Sequence, residues 1–438
     1  MDKPKHKPAA LCMAPWTHTY LSPQTERRMC CASREPADAF KQYIDTNSGT
    51  GKYNPKTLEE HWNSPHMMSV RKRMMNGEIL PECEVCNDKL LNTDVYRTYF
   101  WHLFQHHYDT LWEKTLPNGY TEMKPVSWDY RFSNLCNFKC RMCGDMLSSA
   151  WETEEKMNNM IDWTDASNNW MKPEVRQQIS KFQDEQIERE FAQAVEEHRV
   201  EEIYWVGGEP LMYEQHWRYM QRIIELGDGP RLYARYNTNL SRIKYKEVDL
   251  YKDILCNIRD WQICASLDGT AEIGEYIRTG LNYQAWVTHF EKGVEIMRNR
   301  RQMRIDFTLT LPGLLDVHSI QELADRLGVD ILAKVTFTFS PNVILSPLAL
   351  PREILNRQVD QLITGNTLGG ALKDVLIQLK NRPNIEEQWG EEEYWKGMQQ
   401  GKRRILTLER IRQDTTCMRD ILSADHDMVN WWDSIDVR

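Results

Sequence analysis

From residue 125 onward one rhythm governs the chain: a short run rich in β-branched and aromatic residues, then a longer stretch with helical spacing. The runs at 126–132 (VSWDYRF), 202–206 (EIYWV), 231–236 (RLYARY), 261–265 (WQICA), 304–309 (RIDFTL) and 334–339 (KVTFTF) read as strands. Such alternation of strands with helices predicts βαβ units and a parallel sheet or barrel. The intervening helices carry apolar residues three or four apart: Ile187, Phe191 and Val195 before the second strand, and Trp286, Phe290, Val294 and Met297 before the fifth. The connection from Cys143 to Ile203 is long enough for an inserted lid or extra helix besides its crossover helix, and it holds Trp151, Trp163 and Trp170. After Leu348-Ala349-Leu350-Pro351 the strands stop, and residues 352–438 read as helical.

Upstream, Thr17 to Leu21 and Arg27 to Cys31 flank the turn-like Ser22-Pro23-Gln24-Thr25, which predicts a hairpin bringing Cys12 and Cys30 close together. Ser64-Pro65 supplies an N-cap and a first-position proline, Met67, Val70 and Met74 share a helical face, and Asn76-Gly77 is the stop before Cys83-Glu-Val-Cys86. Residues 95–113, dense in aromatics and free of Pro and Gly, read as one helix.

The 438 residues, 41% of them apolar, suffice for a large core in two or three domains. A net charge of −9 argues against a generally basic surface and so against bulk nucleic-acid binding. No run approaches the roughly 18 apolar residues that cross a bilayer, and Met1 to Ala10 has no apolar signal-peptide core. The expected setting is therefore a cytoplasm, with no membrane partner. Eleven cysteines are an odd count for a disulfide framework, and in a reducing compartment clustered cysteines are more often metal or cluster ligands.

Cys136-Asn-Phe-Lys-Cys140-Arg-Met-Cys143 follows the first strand of the rhythm. Three thiolates at this spacing can hold three irons of a cubane cluster and leave the fourth open, whereas structural zinc wants four protein ligands. The triad resembles the hallmark of the radical SAM superfamily, where it holds a 4Fe-4S cluster chelated at its unique iron by S-adenosylmethionine. Further elements fit that resemblance, each at the carboxyl end of its own predicted strand, the face on which barrel enzymes build their sites. Gly207-Gly208-Glu209-Pro210 resembles the family's GGEP element for the methionine ammonium: two glycines permit close backbone approach and Glu209 offers acceptors. Asn237-Thr238-Asn239 and Ser266-Leu267-Asp268-Gly269 resemble elements that contact the ribose or the carboxylate, which makes Asn237, Asn239, Ser266 and Asp268 candidate contacts. Arg278 sits where many relatives place an arginine near the methionine carboxylate. The residue before the third cysteine, usually an aromatic packed on the adenine, is here Met142, whose thioether can fill that role.

The N-terminal cysteines resemble a second module, the twitch domain, a half-length SPASM auxiliary-cluster unit with the pattern C-x(9–15)-G-x4-C followed by C-x2-C. Thr25 occupies the glycine position, and seventeen residues separate Cys12 from Cys30. The resemblance implies Cys12, Cys30, Cys83 and Cys86 as ligands, with Cys31 the alternative to Cys30. Four cysteines can fully ligate a 4Fe-4S or 2Fe-2S cluster, which favours electron transfer over substrate chelation; structural zinc is the competing reading. The module precedes the barrel here, and the arrangement looks like the twitch-domain radical SAM proteins of phage and bacterial genomes. A phage-encoded chain would work in its host's cytoplasm.

The expected fold is thus α/β: a partial (β/α)6 radical SAM barrel over residues 124–345, preceded by a cysteine-rich auxiliary module with the aromatic helix (1–120) and followed by a helical region (346–438). The resemblance implies reductive cleavage of S-adenosylmethionine to a 5′-deoxyadenosyl radical that abstracts hydrogen from a substrate. A peptide or protein side chain is expected ahead of a small molecule, with an auxiliary 4Fe-4S cluster accepting an electron and a flavodoxin or ferredoxin donating one. The alternative from another class is a non-catalytic iron–sulfur or zinc protein serving electron transfer or interaction, which has no need of GGEP, Ser266 or Arg278. His102 and His106, four apart on the aromatic helix, have no acidic partner on the same face and read as packing or surface residues. Cys256, Cys264 and Cys417 read as small core residues.

Overall fold

Why the six predicted runs pair as they do is visible in the register of the strands. The computed structural model describes residues 3–34, 53–87, 96–336, 342–365 and 367–437, and among these it has ten strands: β1 (His18–Leu21), β2 (Arg27–Arg28), β3 (Ser127–Tyr130), β4 (Glu202–Trp205), β5 (Tyr233–Thr238), β6 (Lys244–Tyr245), β7 (Val248–Asp249), β8 (Asp260–Ser266), β9 (Met303–Leu309) and β10 (Asp330–Val335). The described residues form two units. The first holds those up to 135 with 152–235 and 257–261, and the second holds 136–151, 236–256 and those from 262 onward. Strand order is β2-β1-β3-β4 in the first unit and β8-β9-β10, apart from the first two residues of β8, in the second. β1 runs parallel to β3, β3 to β4, β8 to β9 and β9 to β10. The α/β class with a parallel sheet and a helical C-terminus is as the sequence predicts, and among the described residues no strand pairing closes a barrel.

Two strands begin two or more residues away from where their runs suggest. The sixth starts at Asp330, four residues early, because Gly328 ends the helix Val317–Leu327 in a left-handed conformation (φ +66°) and the chain turns directly into the sheet, Ile331 opposite Ile305. Residues 337–339 of that predicted run lie outside the described residues. The third starts at Tyr233, after a 3₁₀ turn at Gly229–Arg231 that contains Pro230.

The predicted hairpin is β1-β2, with Tyr20 opposite Arg28. What the sequence does not signal is that β1 also pairs with β3, Thr19 opposite Trp128, so that the N-terminal segment extends the main sheet of its unit. The helix Pro65–Met75 forms as read: Ser64 Oγ accepts from Met67 N at 3.3 Å, and Met67, Val70 and Met74 are buried against Leu11, Met13, Trp16 and Phe100. The aromatic segment is not one helix. It is helical over Tyr96–Phe104, breaks into a 3₁₀ turn at Gln105–His107, and resumes over Tyr108–Lys114, so His102 and His106 do not share a helix face.

The long connection holds the helix Ser149–Met157, a 3₁₀ segment Ala166–Met171, and a run of helix over Pro173–Glu196 with one π turn at Gln183–Ile187. Trp151 and Trp170 are buried, and Trp163 is 47% exposed. In the C-terminal region Asn384 and Glu387 form a capping box, and the 22-residue helix Glu391–Arg412 ends at Gln413 in a left-handed conformation. Lys402 on that helix is buried and donates to Trp432 O (2.6 Å) and Ile435 O (3.0 Å), fastening the last helix, His426–Ser434, to it.

Candidate cofactor sites

In the second unit, the loop bearing Cys136, Cys140 and Cys143 is held by its backbone. Lys139 N donates to Thr279 O and Arg141 N to Ile277 O, both at 2.8 Å. This pairing requires Gly280, which has φ +110° and where a Cβ would stand 2.9 Å from the Phe138 ring. On the loop's other flank, Ser148 Oγ donates to Phe138 O (2.6 Å), Cys136 N to Ser149 Oγ (3.1 Å) and Trp151 Nε1 to Cys140 O (2.8 Å). With the main chain satisfied in this way, three sulfurs remain as the loop's chemistry. Cys140 is buried, Cys136 and Cys143 half-buried, and burial pushes the Cys140 thiol up to about 12 against the pull of Arg278. A thiol so reluctant to ionise alone becomes a ligand when a cationic centre replaces its proton, so this donor set fits a cluster.

Arg278 Nη1 is 3.8 Å from Cys140 Sγ, and its Nε is 2.6 Å from Asp268 Oδ2, an ion pair in which the N–H points off the line between the two atoms. Asp268 is fully buried and its Oδ1 accepts from Thr308 N at 2.8 Å. Burial raises the Asp268 carboxyl and Arg278 opposes that rise. Asn239 Nδ2 lies 3.9 Å from Cys136 Sγ and donates to Asn137 Oδ1 at 3.0 Å. Asn237 donates to Asp306 (2.9 Å), which also takes Lys334 Nζ at 2.8 and 3.0 Å. Ser266, half-buried, stands opposite Asp306 in the β8–β9 register, and Met142 is half-buried on the cysteine loop.

Arg141, absent from the sequence reading, is fully buried between two of the cysteines. Its guanidinium lies 3.8 Å over the Tyr276 ring, donates to Thr279 Oγ1 (3.1 Å) and forms an ion pair with Asp414 from the C-terminal region. Tyr276 Oη donates to Glu409 (2.7 Å), Arg412 also donates to Thr279 Oγ1 (3.1 Å), and Arg404 and Arg412 flank the Trp151 ring at 4.8 and 4.6 Å.

In the first unit, Gly207-Gly208-Glu209-Pro210 follows β4 and wraps the segment 133–135. Glu209 N donates to Leu135 O (2.7 Å), Gly208 N to Tyr213 Oη (2.8 Å), and Tyr213 Oη to Ser133 O (2.6 Å). A Cβ on Gly208 would stand 2.3 Å from Leu135 O, and one on Gly207 (φ +131°) 2.7 Å from Tyr213 Oη. The two glycines thus serve a close approach of protein to protein as well as any approach to a ligand. Glu209 is buried, with Oε1 accepting from Leu211 N at 3.0 Å, and Pro210 is buried beside it.

Cys12, Cys30, Cys83 and Cys86 are all buried in the first unit. Burial pushes the Cys12 thiol up to about 12 and that of Cys83 to about 11, and burial, then Cys31, Cys12 and Cys83, raise the Cys30 thiol. Cys31 faces elsewhere: burial and Asp129 raise it, Arg131 and Arg235 oppose, and it shares a hydrogen bond with Tyr96. Arg97, buried on the aromatic segment, lowers Cys83 and Cys12, and its Nε has no hydrogen-bond partner among the described residues. A buried donor with an unpartnered N–H beside the thiols of Cys12 and Cys83 suits an anionic cluster. Thr25 takes φ +69°, the conformation that the glycine of the pattern would supply, with Oγ1 bonded to Gln24 O and to Tyr53 Oη at 2.6 Å each.

The unit's interior is charged. Arg131 grips Asp129 through Nε (3.1 Å) and Nη2 (3.3 Å), Arg235 lies over Tyr204 (3.7 Å) and Tyr99 (4.4 Å), and Tyr99 Oη and Ser127 Oγ both donate to Glu202. These residues carry a missed signal: charges two apart on one predicted strand, Asp129 and Arg131, mark a polar face turned inward.

Residues 130–327 match the radical SAM superfamily, and residues 12–87 match SPASM, an iron–sulfur cluster-binding domain. No curated protein matches the chain. Similar solved structures include SuiB from Streptococcus suis, at 13% identity and a TM-score of 0.35 over 73% of this chain and 65% of that one. The same protein bound to S-adenosylmethionine is similar at 13% identity and a TM-score of 0.33, over 71% of this chain and 66% of that one. The chain thus spans just under two thirds of the length of those chains.

Proposed function

Since the chain carries a radical SAM domain and a SPASM/twitch iron–sulfur domain, with 4Fe-4S clusters and S-adenosylmethionine as cofactors, we propose that it modifies a peptide or protein side chain by radical hydrogen abstraction. The cluster held by Cys136, Cys140 and Cys143 would supply the electron that cleaves S-adenosylmethionine to methionine and a 5′-deoxyadenosyl radical.

Around that chemistry the chain's residues bind and orient. Arg278, held 3.8 Å from Cys140, meets the methionine carboxylate as a desolvated cation. Asp268, with one oxygen on Thr308 N and the other at Arg278, is a positioning residue for that arginine, in place of the ribose contact implied by its motif. Glu209 accepts the methionine ammonium, Asn239 and Ser266 contact the ribose, and Met142 packs on the adenine. Asn237, engaged with Asp306, belongs to the polar wall behind them. Cys12, Cys30, Cys83 and Cys86 would hold the auxiliary cluster with Arg97 as its buried counter-charge, and the group so held would supply an acceptor for one electron from the substrate radical. A flavodoxin or ferredoxin in a cytoplasm supplies the reducing electron.

The observation that carries this reading is the buried Arg278 held by Asp268 against a cysteine of the triad, a cation that a simple electron-transfer protein has no use for. The test is 5′-deoxyadenosine formation by anaerobically reconstituted protein with a strong reductant, set beside a Cys136/Cys140/Cys143→Ala triple variant. Cysteine-dependent product supports the proposal. Failure of cluster-loaded wild type both to form it and to bind S-adenosylmethionine overturns it.

A further inference from the structure

The break in the aromatic segment has a chemical consequence. Because helical structure stops at Phe104 (φ −124°) and a 3₁₀ turn follows, two consecutive histidines project to one side, their rings 4.2 Å apart. Each meets a different oxygen of one carboxylate: His106 Nε2 is 3.0 Å from Glu201 Oε2, and His107 Nε2 is 2.9 Å from Glu201 Oε1. One ligand atom from each of the three residues falls within 4.8 Å of the other two.

From this geometry we propose that His106, His107 and Glu201 form a site for a borderline divalent transition-metal ion, of which Zn²⁺ is the type. Two imidazoles and one carboxylate are the donor set that such ions take, and the hard ions Mg²⁺ and Ca²⁺ prefer all-oxygen shells. Glu201 is anchored by its backbone, with N donating to Val126 O (2.8 Å) and O accepting from Tyr233 N (2.9 Å), so its carboxylate is presented from the start of β4. All three side chains are reachable, His106 being 56% exposed, His107 22% and Glu201 29%. A cavity of about 280 Å³, with His106, Glu201, Arg231 and Arg259 in its wall, leaves room for a fourth ligand. The ion would tie the 105–107 turn to the sheet at β4.

The test uses full-length protein with its clusters reconstituted, so that their cysteines are occupied, and Zn²⁺ as the probe in equilibrium dialysis. Wild type should take up about one Zn²⁺ per chain more than a His106→Ala/His107→Ala variant, with Glu201→Gln binding at least about tenfold more weakly. The zinc X-ray absorption spectrum should show nitrogen and oxygen at about 2.0–2.1 Å and no sulfur at about 2.3 Å. Unchanged iron content in the variants keeps their fold out of the comparison. Equal zinc uptake by wild type and the double variant, or sulfur in the zinc shell, overturns the proposal.

Discussion

Arg141, the residue after the second cysteine of the triad, is fully buried and pairs with Asp414, 273 residues further along the chain. The C-terminal helical region therefore reaches the back of the cysteine loop through a charge. Its other contacts there, Tyr276 Oη to Glu409 and Arg412 to Thr279, bind the same short stretch of chain.

Removing one partner of such a pair leaves the other charge buried and uncompensated. Asp414→Asn is expected to cost about 3 kcal/mol of stability and to loosen the loop, so that the variant retains less iron after reconstitution and desalting. Thermal unfolding and iron analysis check both expectations. A drop in stability with full iron retention would show that the pair supports the fold without supporting the loop.

Arg278→Ala should weaken S-adenosylmethionine binding by at least tenfold, about 1.4 kcal/mol. Asp268→Asn should weaken it less, since the guanidinium remains while its aim is lost. Equilibrium dialysis on cluster-loaded protein ranks the two, and the reverse ranking would make Asp268 the direct contact.

Two glycines near the sites should respond oppositely to alanine. At Gly208 a Cβ would sit 2.3 Å from Leu135 O, so Gly208→Ala is expected to cost about 1–3 kcal/mol and to displace the neighbouring Glu209. At Gly144, one residue past Cys143, a Cβ meets nothing within 4 Å, so Gly144→Ala should keep wild-type stability and iron content. Unfolding curves of the two variants give the comparison.

Cys83→Ser/Cys86→Ser should remove about four irons per chain and leave the triad's cluster in place. Cys31→Ser should remove none, because its thiol faces Asp129, Arg131 and Tyr96 while Cys30 faces Cys12 and Cys83. Iron counting with Mössbauer spectroscopy distinguishes the outcomes. Loss of zinc from the double variant would reassign that centre.

The sequence announces the parts of this molecule that depend on local spacing. The C-x3-C-x2-C triad, the GGEP turn and the strand–helix rhythm are each written within a few residues, because ligand spacing and strand periodicity are local constraints. What stayed illegible depends on pairing over long separations. β1 reads as half of a complete hairpin, and nothing in His18–Leu21 says that it also lies against Ser127–Tyr130 more than a hundred residues away. Arg141 reads as a spacer between cysteines until Asp414 is placed beside it. Glu201 likewise gives His106 and His107 their acidic partner from the residue before β4, where a search along one helix face finds none.

The bond between Arg141 and Asp414 also orders events in time. Synthesis at roughly 5–20 residues per second means that about a quarter to most of a minute separates the appearance of the triad from that of the residue that braces it. Throughout that interval the three cysteines exist without their finished scaffold. Iron delivered before Asp414 has docked meets an unbraced loop, so durable loading of the triad is expected to follow that docking.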